Sequence, residues 1–176
     1  MVKMDEFKGN NAKFLPKRTY KDKMTLGRGK DQIDLYYFGR GHTNGDTFVV
    51  FPALRTIHVG DMFAWKALPY IDADNGGSVV EHAQTLEKVV STIKNVDTVI
   101  TGHTPVLMWN DLVEYALFSR EFVIWAQAQF KFGKTTDQAA AEYAVPANHK
   151  GYVPSANPQF GNAKANLEIA YKELKK

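Results

Sequence analysis

Three short runs of apolar, β-branched and aromatic residues follow one another closely in this chain, at positions 33–38, 47–51 and 56–59. Runs of this composition predict β-strands. The links between them, GRGHTNGD and PALR, are too short to hold a crossover helix. We therefore expect neighbouring strands to pair in an antiparallel manner.

Helical periodicity dominates the rest of the chain. A turn-rich segment at 63–77 is expected to be a surface loop, and the glycines and serine at 76–78 are expected to be a plain connection. A helix is expected from about Thr85 and a short buried strand at 97–100. Further helices are expected in the last third of the chain, at 110–130, at 136–143 and at the C-terminal end.

This order of elements, with strands first and helices later, predicts an α+β fold. The length of 176 residues and an apolar content of 44% are typical of one globular domain, covering 1–176. Within it, 1–32 is expected to be a peripheral segment, 33–109 to hold the sheet, and 110–176 to hold the C-terminal helices.

Charge and cysteine content narrow the possible functions. The net charge of +3 is modest and no base-reading module is present, so the basic residues are expected to be solvated and nucleic acid is not an expected partner. The absence of cysteine means that any metal site must use histidine and carboxylate. No apolar run is long enough to span a membrane and no secretory leader is recognisable, so we expect a soluble chain whose compartment the sequence does not specify.

Three candidate metal ligands share one local context. His42, Asp61 and His103 each follow a predicted strand and each has a glycine beside it, in GRGHT, VGD and TGHT. Glycine allows a sharp turn and a close approach, and strand ends can converge on one edge of a sheet. Histidine and carboxylate together suit zinc, iron or manganese. Taken singly, a histidine or aspartate in a turn is usually an ordinary turn residue, and it is the three together that make a metal site a real alternative.

The longer stretches LYYFGRGHTNGDTFVVFP, IHVGDMFAWKALPYID and VDTVITGHTPV resemble the downstream half of the metallo-β-lactamase superfamily, closely over about residues 33–106. The resemblance implies half of an αββα sandwich, with a largely antiparallel sheet and helices on one face. It implies that His42, Asp61 and His103 are metal ligands, with Asp61 bridging two metals, and that one or two Zn²⁺ ions bind. Asp46 resembles a carboxylate that follows the ligand histidine, and either orients an imidazole or simply forms a turn.

One part of the family pattern is absent from this sequence, the upstream His-x-His-x-Asp-His motif. The remaining histidines are not spaced like that motif: His58 is expected to be packed or solvent-facing within a strand, and His82 and His149 to lie on the surface. Each metal would then keep only two ligands from this chain, whereas a catalytic zinc normally has three protein ligands.

Two functions follow as hypotheses. The first is the C-terminal part of a metal-dependent hydrolase, in which a metal-bound hydroxide attacks ester or amide bonds of a small molecule; alone it would be inactive or weakly active, and it would need the missing N-terminal half. The second is a non-catalytic metal-binding or structural module that works as a homodimer. The sequence assigns neither a catalytic residue nor a substrate.

Overall fold

A computed structural model describes residues 7–155 and 161–175 of the chain. Its sheet has six strands: β1 Lys23–Leu26, β2 Ile33–Tyr36, β3 Phe48–Phe51, β4 Thr56–Gly60, β5 Thr98–Thr101 and β6 Leu107–Met108. The strands lie in sequence order. Pairing is antiparallel except between β4 and β5, which are parallel. The antiparallel arrangement predicted for the three central strands is therefore confirmed.

Strands β1 and β6 have no counterpart in the sequence-based prediction. In β1 the side chains alternate between exposed and half-buried positions, as expected of an edge strand. β6 has only two residues. Neither strand shows the apolar run that identifies a buried strand, so pairing with a neighbour is what defines them.

Four helices follow or interrupt the sheet: α1 Val79–Thr92, α2 Trp109–Lys131, α3 Thr136–Glu142 and α4 Ala163–Leu174. The helix predicted from about Thr85 begins six residues earlier, at Val79. Ser78 is its N-cap, because the Ser78 side chain accepts a hydrogen bond from the backbone N–H of Glu81. Across the described part of the chain, none of the helices has the length and apolar content needed to cross a membrane.

The strands alternate between a buried face and a half-buried face. Val50, Ile57 and Val99 are aligned across β3, β4 and β5 and are almost fully buried. They belong to the same core cluster as Leu86 of α1 and Leu112 of α2. Their neighbours along each strand point to the other face and are only partly buried. The architecture is thus an α+β layer in which the sheet buries one face against helices.

The segment at 63–77 is not the surface loop that the sequence predicted. Phe63 and Leu68 are completely buried, and Ile71 is 5% exposed. The ring of Phe63 stacks on Tyr115 of α2 with the centroids 4.1 Å apart. The turn formers of this segment lie mainly in its second half, and the apolar side chains of its first half pack into the core and hold it against α2.

Candidate metal site

The topology brings the ends of three strands to one edge of the sheet. Strands β2 and β4 are both antiparallel to β3, and β5 is parallel to β4, so all three run in the same direction. Their C-terminal ends therefore lie at the same edge. His42 is in the loop after β2, Asp61 directly follows β4, and His103 follows β5. The convergence expected from the sequence is what the strand order produces.

The carboxylate of Asp61 lies between the two imidazoles. Its Oδ1 is 3.2 Å from Nε2 of His103, and its Oδ2 is 3.6 Å from Nε2 of His42. The side chain of His42 is 15% exposed, that of Asp61 38% and that of His103 56%. The group therefore opens to solvent on the His103 side, where a ligand or substrate could reach it.

A backbone carbonyl fixes the orientation of the His42 ring. Nδ1–H of His42 donates a hydrogen bond to the carbonyl oxygen of Tyr70, at 2.9 Å. In the neutral ring, this tautomer leaves Nε2 without a hydrogen and directed at Asp61, as a metal-ligating imidazole requires. The sequence does not identify Tyr70 as a contributor to this group, because a contact through a main-chain carbonyl leaves no signature in the residue type.

Aromatic side chains form the walls of a small cavity around this group. The ring of Trp65 is centred 5.5 Å from that of His103, and the ring of Tyr70 is 5.5 Å from that of His42. Together with Ala64 and the three candidate ligands they enclose about 30 Å³. This is enough space for about one water molecule or one ion.

Two glycines are needed for the close approach of these loops. A Cβ atom at Gly102 would overlap with Oδ1 of Asp61, and one at Gly41 would overlap with the sulfur of Met62. Both glycines stand immediately before a candidate histidine ligand. Their role is therefore steric, as the sequence motifs indicated.

Asp46 makes its contacts within the loop that carries His42. Its carboxylate accepts hydrogen bonds from the backbone N–H of Thr43 at 2.8 Å and from the Thr43 hydroxyl at 3.0 Å. Burial raises the pKa of this carboxyl, which the hydrogen bonds from Thr43 oppose. These are the contacts of the turn-forming alternative.

The other three histidines lie outside this group. His82 and His149 were expected on the surface, but they are 1% and 4% exposed. Nε2–H of His82 donates to the Met62 carbonyl, and Nε2 of His149 lies 2.8 Å from a Glu121 carboxylate oxygen. Both predictions were wrong. His82 lies near the start of a helix and His149 in coil, which are commonly exposed positions, but in the folded chain other segments bury both side chains. His58 is part-buried, and its Nδ1 accepts the N–H of Gly60.

The three candidate ligands would supply only part of the coordination of a metal ion. Within residues 7–155 and 161–175, no group of three or more His, Cys, Asp or Glu side chains converges closely enough to hold an ion. Two donors on one zinc ion stand about 3.4 Å apart, given bonds of about 2.1 Å and tetrahedral angles. The separations of 3.2 and 3.6 Å are close to that value. The three residues thus form two donor pairs that share one carboxylate.

Comparisons with known proteins agree with this architecture. No protein-family model matches the sequence, and no curated protein matches it significantly. The structure is similar to a stereoselective inverting sec-alkylsulfatase from Pseudomonas sp., with a TM-score of 0.69 and 15% identity over 88% of this chain. A double mutant of that enzyme gives a TM-score of 0.73 and 14% identity over 89% of this chain. A metallo-β-lactamase from Pontibacter korlensis gives 0.50 and 17% over 60%.

This chain spans only part of each of these proteins, 26% of the alkylsulfatase and 49% of the Pontibacter enzyme. At these identities the comparisons establish the fold alone. The sheet order, the helices on one face and the three strand-end motifs agree with the same assignment. The chain has the fold of the C-terminal part of a metallo-β-lactamase-fold enzyme.

Proposed function

We propose that this chain carries part of the metal site of a hydrolase, with His42, Asp61 and His103 as ligands and Zn²⁺ as the ion. Iron and manganese accept the same donors and are the alternatives. The observation that carries the proposal is the position of Asp61, whose two carboxylate oxygens each face a different imidazole. This arrangement suits a carboxylate that bridges two ions.

The distance between Asp61 and His42 leaves room for an ion between the two side chains. The separation of 3.6 Å between Asp61 and His42 is too long for a hydrogen bond. The Nε2 atom of His42 nevertheless points at the carboxylate, because its Nδ1–H is bound to the carbonyl of Tyr70. A gap between two well-oriented donors is what an intervening ion would fill.

The same geometry limits the activity expected of this chain alone. A bound divalent ion would supply a water acidic enough to attack an ester or amide carbonyl at neutral pH. Asp61 and the two imidazoles would hold the ion, and Trp65 and Tyr70 would restrict access to it. Each ion would have two ligands from this chain, one imidazole and the shared Asp61, which is one fewer than a catalytic zinc usually has. We therefore propose weak binding and little turnover without additional ligands.

A zinc titration tests the metal site. Isothermal calorimetry at pH 7.5 on metal-free protein is expected to show binding that Asp61→Ala weakens by at least about tenfold, since this change removes the shared ligand. Asp31→Ala is the matched control, because Asp31 is an exposed aspartate just before β2, at the end of that strand opposite to His42. Equal zinc affinity in Asp61→Ala and the unmodified protein would show that Asp61 is not a ligand.

Hydrolysis is tested by supplying the missing ligands. A separately expressed segment that carries a His-x-His-x-Asp-His motif would be mixed with this chain and zinc, and assayed on an ester, a β-lactam and a secondary alkyl sulfate. We expect turnover by the mixture above that of either component, and loss of that turnover in Asp61→Ala. If the mixture binds zinc and still turns over none of these bonds, the hydrolase proposal is wrong for these substrate classes.

A second candidate function, a structural module that works as a homodimer, is favoured by the half-buried face of the sheet. Val49, His58 and Ile100 are aligned across β3, β4 and β5 on that face, and Leu35 of β2 pairs with Val49. All four are only partly buried. A second copy of the chain would cover this apolar surface by a symmetric interface.

Sedimentation velocity tests the homodimer. If the sheet face is a dimer interface, Val49→Lys should convert a dimer to a monomer, because it buries an unpaired charge in the contact. Ser91→Lys, at an exposed position of α1, should leave the mass unchanged. A monomer in the unmodified protein at 100 μM, on the order of a hundred times a micromolar Kd, would exclude the dimer.

A further inference from the structure

Met62 physically joins the loop of His42 to the turn of Asp61. It directly follows Asp61 and is 1% exposed. Its sulfur accepts a hydrogen bond from the backbone N–H of His42 at 3.3 Å. Gly41 makes room for this contact, because a Cβ at that position would overlap with the sulfur. Any movement of Met62 would therefore change the relative position of two candidate ligands.

His82 of α1 holds the main chain of Met62 from the opposite side. Nε2–H of His82 donates to the Met62 carbonyl oxygen at 3.0 Å, and the side chain is 1% exposed. Its ring meets Tyr115 edge-on, with the centroids 6.0 Å apart. Desolvation lowers the pKa of His82 to about 4, so the ring is neutral and its single proton serves the carbonyl.

Helix α1 also holds the His42 loop directly. The backbone N–H of Ser78, the N-cap of α1, donates to the carbonyl oxygen of Gly41 at 2.9 Å. The first turns of α1 therefore contact both loops, through Ser78 to Gly41 and through His82 to Met62. Burying a histidine in an apolar core is unfavourable unless its ring nitrogens are hydrogen-bonded, and the bond to Met62 satisfies Nε2–H.

We propose that His82 is a positioning residue, which acts through Met62 to set the spacing between the Asp61 carboxylate and the His42 imidazole. The inference rests on the proposed metal site, since the spacing matters because both residues are ligands. The hydrogen bond of His82 is to the main chain of Met62, and its ring contact is with Tyr115. Its effect is transmitted by the Met62 carbonyl on one side and the Met62 sulfur on the other.

The test combines a metal-free measurement with a metal-dependent one. Amide hydrogen exchange of His42, followed by NMR without metal, reports the contact between its N–H and the Met62 sulfur. The affinity and visible absorption spectrum of bound Co²⁺ report the ligand spacing. The variants are His82→Leu, which removes the donor, and His82→Gln, which retains one. Leu86→Ala is the matched control, because Leu86 is a fully buried residue one turn further along α1.

We expect His82→Leu to accelerate exchange at His42 by at least about tenfold and to weaken Co²⁺ binding by about 10- to 100-fold with an altered spectrum. His82→Gln should restore part of both. Leu86→Ala should lower overall stability while its Co²⁺ spectrum stays that of the unmodified protein. If His82→Leu matches Leu86→Ala in both measurements, the positioning role is wrong.

Two further outcomes keep the inferences separate. If the unmodified protein binds no Co²⁺, the proposed metal site fails, and the exchange rate of His42 still decides whether His82 positions that loop. If His82→Leu does not fold, Met62→Leu takes its place, since it keeps the apolar volume and removes the sulfur acceptor. Exchange at His42 unchanged in Met62→Leu would then overturn the inference.

Discussion

At the scale of single residues, the candidate site depends on positions where a side chain would not fit. Gly102 stands beside His103, and its hydrogen faces the carboxylate of Asp61. The backbones after β4 and β5 can come this close because one of the two residues has no Cβ. The distance of 3.2 Å between Asp61 and His103 depends on that approach.

We predict that Gly102→Ala disrupts the site. The added methyl group would push Asp61 away from His103, weaken zinc binding by at least about tenfold and destabilise the fold by about 1–3 kcal/mol through overpacking. Zinc calorimetry and urea unfolding measure the two effects. Gly45→Ala is the control, since a Cβ there meets no atom within 4 Å. Zinc binding by Gly102→Ala equal to that of Gly45→Ala would contradict the steric argument.

At the scale of secondary-structure elements, the start of α1 links the helix layer to the site. Ser78 is 1% exposed, its hydroxyl caps α1 through Glu81, and its N–H binds the His42 loop through Gly41. Capping satisfies a backbone donor at the first turn, where no carbonyl of the helix is available. The same residue therefore sets where α1 begins and holds the loop that carries His42.

The contribution of this cap can be measured. Ser78→Ala removes the acceptor for the Glu81 N–H and is expected to lower the free energy of unfolding by about 1 kcal/mol. Ser91→Ala, at an exposed position in the last turn of α1, should change it by less than about 0.5 kcal/mol. Urea denaturation monitored by circular dichroism gives both values. If Ser78→Ala is as stable as Ser91→Ala, the hydrogen bond from the Glu81 N–H to the Ser78 hydroxyl does not contribute to stability.

At the scale of the whole molecule, the buried His82 makes stability depend on pH. Its pKa falls from 6.5 to about 4 in the folded protein because burial disfavours the charged ring. Between these values the unfolded chain binds a proton that the folded chain does not. The contribution of His82 to stability is therefore greatest above pH 6.5 and declines as the pH falls towards 4.

We predict that the unfolding free energy of the unmodified protein falls between pH 7.5 and pH 5 by about 2 kcal/mol more than that of His82→Gln. Glutamine does not titrate, so the comparison isolates the histidine. Asp46, whose buried carboxyl has a raised pKa, changes stability in the opposite sense and does so in both proteins. Denaturant unfolding at the two pH values is the measurement, and equal pH dependence in the two proteins would refute the assignment to His82.

Much of the site was predictable because its signals are local. The glycine beside each of His42, Asp61 and His103 and the run preceding each are visible in short stretches of sequence. The direction of the strands then follows from the length of the links between them. The supporting roles of Tyr70 and Met62 were not predictable. Tyr70 contributes a main-chain carbonyl, which every residue type has. Met62 contributes its sulfur, and only the folded chain shows which N–H donates to it.

By itself the sequence determined the central strands, their antiparallel pairing, the α+β class and the three residues that meet at the edge of the sheet, since each depends on alternation, turn chemistry or short links. Only the tertiary structure decided that 63–77 packs into the core, that α1 begins at Val79 and that His82 and His149 are buried. Those features come from contacts between distant positions, such as Phe63 on Tyr115 and His82 on Met62. A residue's burial is set by what packs against it, and neighbours far along the chain leave no local pattern.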